Sequence, residues 1–128
     1  TYGRYQLQPM AGEHFLTKEQ LAAMGPDYLT TEILQRVRRG PVKFKLLLQV
    51  AGPGDKIDDP SIAWPDTRKK VVLGTLAITK AVADSQTAEK KLLFMPGTLV
   101  SGIEAADPMI ATRSAAYSIS AARRTKAQ

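Results

Sequence analysis

The sequence predicts an α+β domain in which antiparallel strands combine with helices. Two segments carry the strongest strand pattern, VKFKLLLQVA at 42–51 and VVLGTLAIT at 71–79. Two others, 26–40 and 107–124, combine helical composition with helix-terminating residues. The chain has 128 residues, of which 44% are hydrophobic, so it is long enough to bury a core.

The N-terminal residues predict a short strand and a short helix. The segment YGRYQLQP (2–9) alternates in the manner of a half-exposed strand, and Pro9 ends it. Thr17 and Gln20 have the spacing of a capping box, in which two residues at a helix N-terminus satisfy each other's backbone amides. We expect this helix to end at Gly25.

The next segments predict a longer helix and two core strands. Residues 26–40 repeat apolar side chains at every fourth position and place basic residues just before Gly40, which suits a helix C-terminus. The strand at 42–51 alternates at first and then becomes wholly apolar. This change indicates that one end of the strand is covered on both faces. Residues 71–79 form a second strong strand pattern.

A long polar segment, residues 52–70, separates these two strands. It contains four acidic residues, three prolines and the only tryptophan. A connection of this length in a compact domain usually has a function or wraps another part of the protein. Its aspartates lack the spacing of an EF-hand, and the turn-forming residues around them explain the composition without a metal. The stretch AGPGD (51–55), at the start of this segment, also lacks the spacing of a phosphate-binding loop.

The C-terminal third predicts one more strand and a final helix. Residues 81–90 have weak helical character, and KLLFMP (91–96) predicts a third strand. The final helix spans 107–124, with Asp107 as N-cap and a proline after it. Its interior is rich in alanine and serine, which allows another backbone or a flat ligand to approach closely. These strands are too few to close a barrel, so we expect exposed strand edges.

Composition limits the classes of function. The chain has no cysteine, which excludes disulfides and cysteine-ligated metals and leaves the compartment, periplasm or cytoplasm, undecided. His14 is the only histidine, so we interpret it as a surface or partly buried residue. No apolar run approaches about 18 residues, and we expect no membrane insertion. The net charge of +6 raises nucleic acid as a partner, but the basic residues are dispersed and aromatic residues few, so we expect none.

A stripe of three polar side chains marks the final helix. Arg113, Tyr117 and Arg124 follow at spacings of four and seven, which place them on one helical face. One interpretation is a helix with a buried tyrosine and exposed basic residues. The other is a tyrosinate with a cationic partner. Free tyrosine titrates near pH 10, so a phenolate at neutral pH needs a cation, a strong donor or a metal. The iron of ferric haem is one such metal, since tyrosinate is a known axial ligand of haem iron.

The order of motifs from about residue 41 onward resembles the C-terminal half of the catalase haem domain. The shared stretches are FKLLLQV, IDDPSIAWPDTRKKVVLGTLAIT and FMPGTLVSGIEAADPMIATRSAAYSISAARR. The chain is most similar to the small catalase-related peroxidases, in which GPV, PGD, DDP, WP, LGTL, GIE, DP and RSAAY recur together. The first 40 residues fit the same family less sharply.

The resemblance implies a haem-dependent peroxidase that reduces hydrogen peroxide or organic hydroperoxides and oxidises a small organic donor. The cofactor would be haem b, iron protoporphyrin IX. Tyr117 matches the axial ligand of the haem iron, and Arg113 matches the arginine that stabilises the phenolate. Arg124 matches an arginine that contacts a haem propionate. The fold would be part of a catalase-like antiparallel β-barrel with the haem-ligand helix at its end.

The resemblance also implies that residues 1–128 are the C-terminal part of a haem domain. The distal histidine and asparagine of the family would lie upstream of Thr1, and His14 is not in the distal motif. We therefore expect the isolated chain to be nearly inactive and to self-associate through its open half-barrel. The family's histidine and Asp-Thr pair after the tyrosine are replaced here by residues 118–122. The alternative function is a non-catalytic haem-binding or interaction module.

Overall fold

The structure, a computed structural model, describes residues 1–126 and combines four helices with three strands in that range. The predicted mixture of helices and antiparallel strands is confirmed, and the last two residues of the predicted domain 1–128 lie outside the described residues. The elements are, in chain order, β1 (Gly3–Pro9), α1 (Lys18–Ala22), α2 (Tyr28–Arg39), β2 (Val42–Val50), β3 (Lys70–Ile78), α3 (Ser85–Lys90) and α4 (Met109–Lys126).

The strands form an open, three-stranded sheet in the order β1-β2-β3. The antiparallel β2–β3 register runs from the Val42–Ile78 pair to the Gln49–Lys70 pair, with an irregularity after Leu46. Every residue of β2 from Leu46 to Val50 is buried or half-buried, which agrees with the prediction that this end of the strand is covered on both faces. Within the described range, β1 and β3 are the edges of the sheet.

The prediction of a strand over residues 91–96 is wrong. The amides of Lys91 and Leu92 are donated to carbonyls in the last turn of α3, and Pro96 has no amide to donate. These groups are therefore not available to a strand ladder, and the segment pairs with no strand of the described chain. An apolar run predicts a strand only where a partner strand lies beside it.

Local capping fixes the start of α1 where the sequence predicted it. At α1, Thr17 Oγ1 accepts a hydrogen bond from the Gln20 amide at 3.2 Å, and Gln20 Oε1 accepts one from the Thr17 amide at 2.9 Å. This reciprocal pair is the predicted capping box. No helix in the described part of the chain is long and apolar enough to cross a membrane.

The chain divides into two compact units. The first, the sheet unit, contains residues 3–49 and 70–83. Its buried residues include Val37 of α2 and two β2 residues, Leu47 and Gln49. The buried amide of Gln49 accepts a hydrogen bond from Gln6 Nε2 at 3.0 Å, which satisfies a polar group that would otherwise be costly to bury.

The second, the loop–helix unit, contains residues 1–2, 50–69 and those from 84 onward. Its 52–69 loop is ordered around Trp64, which is 7% exposed and donates its indole N–H to the Lys56 carbonyl at 2.7 Å. The predicted long connection is thus built as a loop with a buried aromatic anchor.

An ion pair closes the same loop. Asp55 accepts two hydrogen bonds from Arg68, at 2.8 and 2.9 Å, and a third from the Gly52 amide at 2.7 Å. Donation of these hydrogen bonds to the Asp55 carboxylate raises the pKa of the Arg68 guanidinium. A Cβ atom on Gly52 would lie only 2.7 Å from that guanidinium, so the absence of a side chain permits the close approach.

Candidate functional site

Helix α4 carries the candidate site. Asp107 caps it by accepting a hydrogen bond from the Met109 amide at 2.8 Å, close to the predicted start. The less exposed positions recur every three or four residues along the helix, namely Ile110, Ser114, Tyr117 and Ala121. This periodicity gives α4 one half-buried side, on which Tyr117 lies.

Arg113 and Tyr117 are in direct contact, as their spacing predicted. Arg113 Nη2 donates a hydrogen bond to the Tyr117 phenol oxygen at 2.5 Å, and the guanidinium carbon lies 5.4 Å from the centre of the ring. This hydrogen bond raises the pKa of Arg113, which keeps the guanidinium charged. A permanent cation therefore lies against the phenol oxygen.

Arg124, the third predicted residue, is not in contact with this pair. It lies seven residues after Tyr117 with an exposed side chain, which corresponds to about 10 Å along the helix axis. The structure therefore brings together two of the three residues, and among the described residues Arg124 lies on the same helix without a contact to either of them.

The phenol faces a pocket of about 480 Å³. Apart from the pair itself, the lining comes from one apolar turn, and the lining residues are Leu93, Phe94, Met95, Pro96, Thr98, Arg113 and Tyr117. Ligand sites in proteins are commonly of this size, with an apolar wall and few polar groups. The segment that was wrongly predicted as a strand thus forms the wall of the pocket.

Sequence reasoning missed the contacts that hold this turn against α4. The Gly97 amide donates a hydrogen bond to Ser114 Oγ at 3.0 Å, and Ser118 Oγ lies 3.9 Å from Met95 Sδ. The small residues of α4 had predicted the close approach of another backbone, and this turn is such a backbone. The one available signal was the spacing of four between the two serines, which places them on the same side of the helix.

The other candidate groups lie elsewhere. His14 has an exposed side chain in the sheet unit. Asp55, among the acidic residues of the long connection, is 5% exposed and held by Arg68. Within residues 1–126 there is no group of three or more His, Cys, Asp or Glu side chains that could hold a metal ion.

Comparison with known proteins connects this geometry to a family. The Catalase family model matches residues 1–128. A catalase-related peroxidase of Synechococcus elongatus is 36% identical over 124 residues, which is 96% of this chain and 37% of the relative. A catalase-related peroxidase of Mycolicibacterium paratuberculosis is 37% identical over 123 residues, which is 95% of this chain and 39% of the relative.

These matches cover nearly all of this chain but less than half of each relative. The resemblance noted from the motifs is therefore confirmed along the whole sequence, including the first 40 residues, where the motifs were weakest. The arginine–tyrosine contact on α4 lies within the matched region. The chain belongs to the catalase family, and both of these relatives are catalase-related peroxidases.

Proposed function

We propose that this chain supplies the proximal side of the haem site in a haem-dependent peroxidase. Tyr117 would bind the iron of haem b, Arg113 would stabilise its phenolate, and Arg124 would contact a propionate. The observation that carries the proposal is the 2.5 Å hydrogen bond between the guanidinium and the phenol oxygen at an open pocket. Catalase is the family in which tyrosinate is a known haem ligand.

The residues present fit the cofactor. Haem needs one strong axial donor, an apolar surface against the macrocycle and a cation for the propionates. Tyr117 provides the donor, and the Leu93–Thr98 turn provides an apolar wall beside it. The exposed guanidinium of Arg124, about 10 Å along the helix from the phenol, provides a cation at some distance from the iron position.

The bound haem would supply the cleavage of the peroxide O–O bond, coupled to oxidation of a small organic donor. The residues of this chain act around that chemistry. Tyr117 gives up its phenol proton to become a ligand, and Arg113 offsets the resulting negative charge through a charge-assisted hydrogen bond. Arg113 cannot accept that proton, because its own pKa is raised. The phenol proton must therefore leave to solvent or to another base.

We further propose that residues 1–128 are the C-terminal part of a catalase-like haem domain. The coverage of 37% and 39% of the two relatives supports a longer parent protein. The open sheet supports a barrel that other residues complete. The distal base that moves the peroxide proton would then come from those residues. On this proposal the isolated chain binds haem but turns over peroxide poorly.

Titration of hemin into the purified 128-residue chain tests the proposal. We expect one equivalent to bind and to give the absorption spectrum of ferric haem with a tyrosinate ligand. Peroxidase turnover of the loaded chain should be at least about a hundredfold below that of the longer protein, since general acid–base catalysis contributes about 10²–10⁴-fold. Failure to bind hemin would contradict the proposal. Haem binding without peroxide reactivity in the longer protein would instead indicate a non-catalytic haem-binding module.

The exposed apolar residues of the sheet unit support self-association. Tyr5 and Leu7 on β1 are 58% and 55% exposed, and Val72 on β3 is 65% exposed. Both strands are sheet edges, which readily pair with another chain. We expect light scattering to detect dimers or larger species, and Val72→Lys to shift the population toward monomer. A monodisperse monomer across the concentration range would contradict this expectation.

A further inference from the structure

We propose that Ser114 is a positioning residue. Its hydroxyl accepts a hydrogen bond from the Gly97 amide, and this bond, called the latch below, holds the 95–98 turn on α4 and thereby positions the wall of the pocket beside Tyr117. The role in shaping the pocket follows from contacts within this chain. Its consequence for haem binding rests on the function proposed above. Ser114 contacts neither the phenol nor any reacting atom, so it would act only through the turn.

The hydroxyl of Ser114 takes part in two hydrogen bonds within the chain, one as acceptor and one as donor. It accepts a hydrogen bond from the Gly97 amide at 3.0 Å and donates one to the Ile110 carbonyl at 2.8 Å. The second bond, to the carbonyl four residues earlier, fixes the rotamer of the serine. The first bond then has a defined direction, because the acceptor oxygen cannot swing away. The turn is thus attached to a rigid point on the helix.

The fit of the turn against Ser114 requires glycine at position 97. A Cβ atom on Gly97 would lie 2.8 Å from Ser114 Oγ, closer than ordinary contacts allow. One helical turn further along, Ser118 Oγ lies 3.9 Å from Met95 Sδ, and this contact is weak because the single hydroxyl proton also has the Ser114 carbonyl as an acceptor at 3.1 Å. The turn is closed internally by the Thr98 amide, which donates to the Met95 carbonyl at 3.1 Å. The turn therefore has two attachment points on one side of α4.

This attachment determines what lies beside the phenol. Residues on both sides of Gly97 line the same pocket as Arg113 and Tyr117. Of the two attachments, the one at Ser114 is an N–H···O bond of ordinary length, and the one at Ser118 is a weak contact to sulfur. Loss of the Ser114 hydroxyl should therefore release the wall of the pocket and leave the arginine–tyrosine contact, which lies within α4, in place.

The test compares Ser114→Ala with three other variants of the full 128-residue chain. Ser114→Thr keeps a hydroxyl that can bond the same carbonyl, and Gly97→Ala breaks the latch from the other side. Thr112→Ala removes a hydroxyl from an exposed position of α4, two residues away and on a different side, and is the control. The first readout, without hemin, is NMR: the exchange rate of the Gly97 amide and the ring resonances of Tyr117. The second is hemin affinity.

We expect Ser114→Ala to accelerate exchange of the Gly97 amide about tenfold, shift the Tyr117 ring resonances and weaken hemin binding about fivefold, the usual worth of one hydrogen bond. Ser114→Thr should restore both readouts, and Thr112→Ala should change neither. Gly97→Ala should reproduce the loss, and adding Ser114→Ala to it should cost little more, because both act on one contact.

Two results would overturn the proposal. Unchanged Gly97 exchange in Ser114→Ala would show that the latch does not form. Faster exchange with unchanged Tyr117 resonances and hemin affinity would reduce Ser114 to a structural residue. If the wild-type chain binds no hemin, the proposed function fails, and the NMR readouts still decide whether Ser114 sets the surroundings of the phenol. If Ser114→Ala fails to fold, Gly97→Ala decides by the same readouts.

Discussion

Replacement of Tyr117 by phenylalanine is expected to abolish the tyrosinate-type absorption spectrum of the haem complex and to weaken hemin binding by more than about a hundredfold. Removal of a group that merely supports a metal ligand costs about 10–100-fold in affinity, and loss of the ligand itself should cost more. The substitution removes one oxygen and keeps the ring, so the half-buried side of α4 remains packed. Hemin titration followed by absorption spectroscopy measures both effects.

A matched control is available in α2. Tyr28 is also half-buried on a helix. It belongs to the sheet unit, whereas the residues that line the pocket belong to the loop–helix unit. Tyr28→Phe should leave the spectrum and the affinity unchanged. A Tyr117→Phe complex with the spectrum of the wild type would show that another group binds the iron, and the assignment of the ligand would be wrong.

Arg113 variants extend the same experiment to the charge beside the ligand. The hydrogen bond to the Tyr117 oxygen raises the pKa of Arg113, so the guanidinium is charged at every pH at which a phenolate could form. Arg113→Met removes this cation. Protons should then compete better for the phenol, and the pH at which the tyrosinate spectrum is lost should rise by about one unit or more. Arg113→Lys keeps the charge and should show a smaller rise.

The parts of the fold that local chemistry decides could be predicted from the sequence. The Thr17–Gln20 capping box formed as its spacing indicated, because both partners lie in one helical turn. The strands at 42–50 and 70–78 follow from apolar patterns long enough to be unambiguous. The prediction of a strand over 91–96 was wrong, because a strand needs a partner strand beside it and no local sequence pattern shows whether one exists. Its first amides are used at the end of α3 instead.

The same distinction holds for the site. Arg113 and Tyr117 are four residues apart on one helix, so their contact could be predicted once the helix was assigned. Gly97 and Ser114 are separated by 17 residues, and their contact depends on how the turn folds back onto α4. Composition indicated only that small residues permit such an approach. The contact between Gly97 and Ser114 can be recognised only when the tertiary arrangement is known.

Trp64 is the buried aromatic side chain of the 52–69 loop. It is the only tryptophan of the chain and is 7% exposed, in a protein with few buried residues among those described. We expect Trp64→Ala to lower the free energy of unfolding by about 3–5 kcal/mol, the cost of removing a large buried aromatic side chain. Total stabilities are about 5–15 kcal/mol, so this change would remove a large fraction.

Trp64→Phe separates the hydrogen bond from the buried volume. It keeps most of the ring and loses the indole N–H that reaches the Lys56 carbonyl, so we expect a loss of about 1–2 kcal/mol. Phe15→Ala is the control, because Phe15 is 87% exposed and its removal should change stability by less than about 0.5 kcal/mol. Urea denaturation followed by far-UV circular dichroism measures all three, since Trp64 variants lack the fluorescent probe. A loss below about 1 kcal/mol in Trp64→Ala would show that the ion pair between Asp55 and Arg68 orders the loop without the indole.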